Sequence, residues 1–151
     1  MKKEIRAPKK SDLKKIADEN ESLNAIGLIP EYAMWSALNS KCPNFTSESL
    51  ANGRTEVYQD RFFEEFCLCV EFLRLCKLKK TPSRSSYFLK HAVECWTESA
   101  KSRREYISNG AMVAAIIYLE IPYEWDKMSV NVSIGVSEKC PLAGRKAKVT
   151  A

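Results

Sequence analysis

The apolar positions of this chain change period along its length, and the changes divide it into elements. From Thr55 to about Lys80, Tyr58, Phe62, Phe66, Cys69, Leu73 and Cys76 step by four, four, three, four and three residues. That spacing lines one face of an α-helix. Phe63, Val70 and Phe72 widen the apolar arc, so this helix is expected at the centre of a bundle, with Lys77, Lys79 and Lys80 at the negative end of its dipole. Pro82 breaks it, and Ser83 can cap a next helix in which Leu89, Val93, Trp96 and Ala100 form a second stripe. Ser108 or Asn109 then starts a short, nearly all-apolar helix through Leu119, closed by Ile121-Pro122 and expected to be buried on most sides.

Upstream, residues 1–10 read as a flexible basic arm. Ser11 and Asp12 are cap candidates for a helix through Leu13, Ile16 and Ala17 to about Leu23. A short helix carrying Tyr32, Trp35 and Leu38 is expected after Pro30. Between Asn39 and Arg54 the polar, turn-rich composition predicts an irregular connection with one helical turn at Ser47 to Leu50. After Trp125 the period falls to two: Val130, Val132, Ile134 and Val136 alternate with Asn131, Ser133, Gly135 and Ser137, a half-buried strand. Its backbone needs a partner, and the candidates are the stretch Ala25 to Ile29 or the same strand of a second chain. Residues 140–151 form a basic tail expected to be flexible. The fold class that results is mainly α: a compact helical domain of about four to six helices with a minor C-terminal β-strand or hairpin, spanning 11–139.

A length of 151 residues with 45% hydrophobic content supports one domain with a closed core and excludes a disordered chain. With 5 Gly and 6 Pro in no period, a collagen-like polymer is excluded too. The net charge of +5 conceals blocks: residues 1–15 carry +5, 16–76 carry −6, 77–104 carry +6, 105–138 carry −4 and 139–151 carry +4. Separate basic and acidic surfaces are the expected consequence.

The six cysteines are an even number, yet a disulfide framework is not the expected use. Cys67, Cys69 and Cys76 lie in a helical apolar stretch where cysteine acts as a small buried hydrophobe. Cys67 and Cys69 point about 200° apart on a helix and can neither bridge nor share a metal. Reduced thiols imply a cytoplasmic protein. The N-terminus has charge but no apolar segment after it, and the longest apolar run, Ala111 to Leu119, is about half a bilayer span. No membrane partner is expected.

Candidate chemistry concentrates in 77–104. Ser83, Arg84, Ser85 and Ser86 at a helix start suit phosphate, with Lys79, Lys80 and Lys90 as point charges and Tyr87 available to stack on a base. Lys101, Arg103 and Arg104 form a second cluster at the other end of that helix, about 25–30 Å away and near the length of one DNA turn. His91 and Cys95 share a helix face, but no further paired ligand spacing accompanies them, so no metal and no cofactor are expected. Glycine-rich phosphate loops, nucleophile elbows and metalloprotease pairs are not found, and no enzymatic activity is expected.

The segment Ser85-Ser-Tyr-Phe-Leu-Lys-His91, followed after a gap by Tyr106-Ile-Ser-Asn-Gly-Ala-Met-Val-Ala-Ala115, resembles small accessory proteins carried on bacterial plasmids, prophages and integrative elements. The resemblance spans residues 85–119. It implies a mobile-element context and carries no catalytic residue. Where those proteins tend to have glycine at the end of the short helix, this chain has Glu120. The function expected is that of a non-enzymatic binding protein of a mobile element, engaging nucleic acid or a nucleoprotein through 77–104. The alternative is a protein–protein inhibitor or adaptor, for example one blocking a host defence complex, and a third reading is a homodimer through strand 130–136.

Overall fold

The computed structural model describes residues 6–33 and 45–137. It is mainly helical, with helices α1 (Lys10–Glu19), α2 (Ser47–Glu56), α3 (Asp60–Leu75), α4 (Ser86–Ala100) and α5 (Asn109–Tyr118). Residues 31–33 are helical at the border of the described segment. Trp35 and Leu38, like the outer arm 1–5 and the tail 140–151, lie outside the described residues. Strands β1 (Leu23–Asn24) and β2 (Gly27–Leu28) make a small hairpin. Strands β3 (Arg84–Ser85), β4 (Glu124–Trp125) and β5 (Val132–Ile134) make an antiparallel sheet in the order β3-β5-β4.

The centre of the bundle is α5, not the longer helix before it. Every residue from Asn109 to Ile116 is buried, as befits a helix apolar all round. The Ser108 hydroxyl accepts from the Ala111 N–H at 3.2 Å and caps its start. Gly110 permits a close approach, because a Cβ there would collide with the Asn24 carbonyl oxygen. At the other end the Ile121 N–H reaches the Ile116 carbonyl at 3.1 Å and the Glu120 N–H reaches Ile117 at 3.0 Å, a complete Schellman ending. Glu120 adopts φ +56° there, the left-handed conformation that glycine takes at no steric cost.

The helix expected over 55–80 is divided. Turn hydrogen bonds from Tyr58 to Thr55 and from Gln59 to Glu56 separate α2 from α3, and Gln59 is extended. Tyr58 therefore leaves the apolar stripe and is half exposed. Beyond Leu75 the chain straightens, because β5 needs backbone partners and residues 77–83 provide them. Lys79 N–H donates to Gly135 O at 3.0 Å, Ser83 N–H to Ile134 O at 2.9 Å, and Ser137 N–H to Lys77 O at 2.7 Å.

These bonds correct the expected pairing of strand 130–136. Neither Ala25 to Ile29 nor a second chain is its ladder partner: β3 pairs on one side of β5 and β4 on the other. A homodimer formed by pairing this strand across a two-fold axis would have to open one of these two ladders. The Ala25 to Ile29 stretch contributes to its own hairpin and meets this region through a single bond from Leu28 N–H to Val130 O at 3.0 Å.

The connection expected as irregular over 39–54 contains a ten-residue helix, α2. Thr46 and Ser49 cap it reciprocally, each backbone N–H donating to the other's hydroxyl at 3.0 Å. Arg54 then places its guanidinium on the carbonyls of Ala17, Asn20 and Leu23 at 2.8, 3.1 and 2.9 Å, closing the C-terminal end of α1. At the start of α1, Lys9 rather than Ser11 is the cap residue, and its N–H donates to Asp12 at 2.7 Å.

Candidate functional site

The structure separates the basic residues of 77–104, Arg84 apart, into two groups. Lys77, Lys79 and Lys80 are exposed on the extended segment beside β5. Among the described residues no carboxylate pairs with any of the three. The second group is internally compensated. Lys101 pairs with Glu71 of α3 at 3.0 Å, Arg103 with Glu105 at 3.6 Å, and Arg104 with Glu94 at 3.4 Å and Glu98 at 3.6 Å. Lys90 is 7% exposed and sits 3.4 Å from Glu94, with its ammonium donating to the Ile107 carbonyl at 3.0 Å.

The serines expected to face a phosphate serve the fold instead. Ser85, rather than Ser83, caps α4 by accepting from the Phe88 N–H at 3.1 Å. The Ser83 hydroxyl donates to the Val136 carbonyl at 3.2 Å and accepts from the Val136 N–H at 3.1 Å. Ser86 is fully buried and accepts from the Val132 N–H at 3.1 Å. Arg84 lies against the Phe88 ring, 4.9 Å from its centroid. An outward cradle of hydroxyls is thus replaced by a seam that holds α4 to β5.

A second constellation was not legible in sequence. The loop ahead of α5 is pinned by two buried carboxylates from two helices. Glu94 of α4 accepts from the Ile107 N–H at 3.0 Å, and Glu65 of α3 accepts from the Ser108 N–H at 2.7 Å. Both lie where the positive end of the α5 dipole favours a negative charge. Burial raises the Glu94 carboxyl, but the Ile107 N–H, His91 and Lys90 outweigh it and leave the group below its ordinary value. His91 holds its Nδ1 2.8 Å from the same carboxylate, and the Tyr87 ring meets the imidazole edge-on at 4.7 Å.

The exposed lysines also gain unexpected neighbours. Arg74, at the end of α3, donates to the Arg6 carbonyl at 2.8 Å across 68 positions of sequence. The inner part of the N-terminal arm is thereby laid against the helix end that leads into Lys77. Arg6 is itself held by Asp12 at 3.0 Å.

Cys67, Cys69 and Cys95 carry free thiols, and burial pushes the Cys69 thiol well above its ordinary value. Cys76 donates to the Phe72 carbonyl at 3.4 Å, and Cys42 and Cys140 lie outside the described residues. Among the described residues, no group of three or more His, Cys, Asp or Glu side chains is arranged to hold a metal ion. No helix among them is long and apolar enough to cross a membrane.

The geometry defines a mainly helical domain with a small antiparallel sheet and, at Lys77, Lys79 and Lys80, an exposed cationic edge with no carboxylate partner among the described residues. No protein-family model, curated protein or solved structure matches the chain.

Proposed function

We propose that this protein is a non-enzymatic, cytoplasmic nucleic-acid-binding or nucleoprotein-binding protein of a bacterial mobile element, and that its phosphate contacts run along Lys77, Lys79 and Lys80. One observation carries the proposal: these three cations are exposed and have no carboxylate partner among the described residues, whereas Lys90, Lys101, Arg103 and Arg104 are each tied to a glutamate. An uncompensated cation can release counterions from a phosphate backbone, while one already paired gains little. The mobile-element context comes from the resemblance over 85–119.

Titrating a labelled oligonucleotide across salt concentrations tests this. For duplex DNA, every phosphate that a protein cation neutralises steepens the fall of log affinity with log salt by about 0.9. Replacing Lys77, Lys79 and Lys80 together by alanine is therefore expected to make that slope shallower by about 2–3. A salt-independent affinity, or a slope that the triple variant leaves unchanged, overturns it.

Leu75 and Leu78 favour a second reading. They flank Lys77 and are 55% and 42% exposed, a mixed apolar and cationic strip of the kind a protein partner covers. An adaptor or inhibitor would use that strip. Capture of a native partner that persists after nuclease treatment and disappears with Leu75→Asp separates it from the first reading.

A further inference from the structure

Tyr87, in the first turn of α4, and Tyr106, in the loop ahead of α5, converge on one ammonium group. Lys90 Nζ lies 5.5 Å from the centroid of the first ring and 5.1 Å from that of the second. Although Lys90 is buried, the two rings are 53% and 62% exposed. Neither tyrosine hydroxyl makes a hydrogen bond among the described residues. The rings open on a groove of about 570 Å³, within the range of small-ligand sites, whose lining includes Asn109, Asn131 and Glu56.

Asn109 is 6% exposed. Its Nδ2 donates to the Ile26 carbonyl and to Asn131 Oδ1, each at 2.8 Å, which fixes the orientation of the amide. Its Oδ1 is buried and accepts no hydrogen bond among the described residues. An acceptor left unsatisfied there carries a desolvation cost, but being buried it is not itself within reach of a ligand in the groove.

The chemistry narrows the ligand. A cation is disfavoured, because Lys90 already occupies the attractive field of both rings. A phosphate is disfavoured too, because Glu56 lines the groove and the charge of Lys90 is balanced by Glu94. A neutral flat ring with polar edges fits the exposed tyrosines and the polar lining of the groove. Such a ring stacks on an exposed tyrosine, and amide and carboxylate groups are the side chains that read base edges.

We propose that the groove at Tyr87 and Tyr106 binds an unpaired nucleobase, presented by a single strand or by a free nucleotide. This depends on the nucleic-acid reading only for the source of the base.

The test uses the full chain with three probes: a labelled 12-nucleotide single strand of mixed sequence, the matching duplex, and free nucleoside monophosphates followed by calorimetry. The single strand is expected to bind more tightly than the duplex. Tyr87→Ala and Tyr106→Ala are each expected to weaken it by about fivefold to a hundredfold, the range that loss of one stacked base implies. Tyr87→Phe and Tyr106→Phe retain the ring and are expected to bind like the parent. Circular dichroism melts confirm that each variant is folded. Nucleotide binding that depends on the tyrosines, with no binding of either the single strand or the duplex, supports the groove and removes the nucleic-acid reading. Strand binding that depends on Lys77, Lys79 and Lys80 but not on either tyrosine overturns the groove and leaves that reading standing. Folded alanine variants that match the parent, phenylalanine variants that lose as much as alanine, or no binding of any probe all overturn the proposal.

Discussion

The Glu94 carboxylate stands 3.4 Å from the Lys90 ammonium, one turn along α4, with both side chains under 10% exposed. Each also holds the backbone of Ile107, Glu94 through its N–H and Lys90 through its carbonyl. The pair therefore connects α4 to the loop that starts the central helix.

Breaking this pair on one side is expected to cost more than removing it whole. Glu94→Gln leaves a buried ammonium without its counter-charge, and a loss of about 3–5 kcal/mol is expected from urea unfolding. Combining it with Lys90→Met should recover part of that loss, and the double-mutant cycle measures the coupling. Strictly additive losses would show that the two charges do not act as a pair.

Acid should release the same connection. The folded Glu94 carboxyl is held below its ordinary value of 4.5, and Asp12, hydrogen-bonded to Arg6, below 3.8. A depressed folded value means the stabilisation is present in full above the unfolded value and is lost as pH falls through the folded one. The urea midpoint is expected to fall below about pH 4.5, and less steeply in Glu94→Gln. An equal decline in both proteins would place the acid sensitivity elsewhere.

Ser86 offers a direct choice between an anion ligand and a structural hydroxyl. Ser86→Ala strands the buried Val132 N–H and is expected to cost about 1–3 kcal/mol of stability. While the variant remains folded, the salt slope of oligonucleotide binding should stay that of the parent. A reduced slope would put Ser86 in contact with phosphate.

Glu120 occupies a backbone conformation that suits glycine. Glu120→Gly is expected to raise stability by about 1 kcal/mol, because the left-handed φ carries a penalty of that order for a residue with a Cβ. Thermal melting checks this, and a lower melting temperature would mean that the side chain of Glu120 contributes more than its backbone costs.

Period alone located α4, α5 and β5, because each has a run of apolar positions long enough to show one spacing. The sequence also offered Ser108 or Asn109 as the cap, of which Ser108 serves, and suggested that α5 would be buried, since nine consecutive apolar residues leave no polar face. It recognised only the first turn of α2, Ser47 to Leu50, because Gly53 is the one buried residue of that helix and the stabilising groups are Thr46 and Arg54. It ran α3 too far in both directions, because Tyr58 and Cys76 continue the stripe numerically while the backbone has already turned.

The candidate surface was legible as charge but not as a surface. Counting lysines and arginines finds the block 77–104, since composition depends only on the chain. Which of those cations remain available depends on how carboxylates are placed: Glu71 of α3 reaches Lys101, while Glu94, within the block itself, lies one turn from Lys90 and beside Arg104. The serines shared that fate, because β5 needed hydrogen-bond partners and 77–86 lay where it could supply them. The sequence by itself determined the helical class, the buried helix and the positions of the charges, all properties of local spacing. Only the tertiary structure decided that Glu71 reaches Lys101, which edges of β5 are closed, and that Tyr106 meets Tyr87 over Lys90, because each of these joins groups that chain order keeps apart.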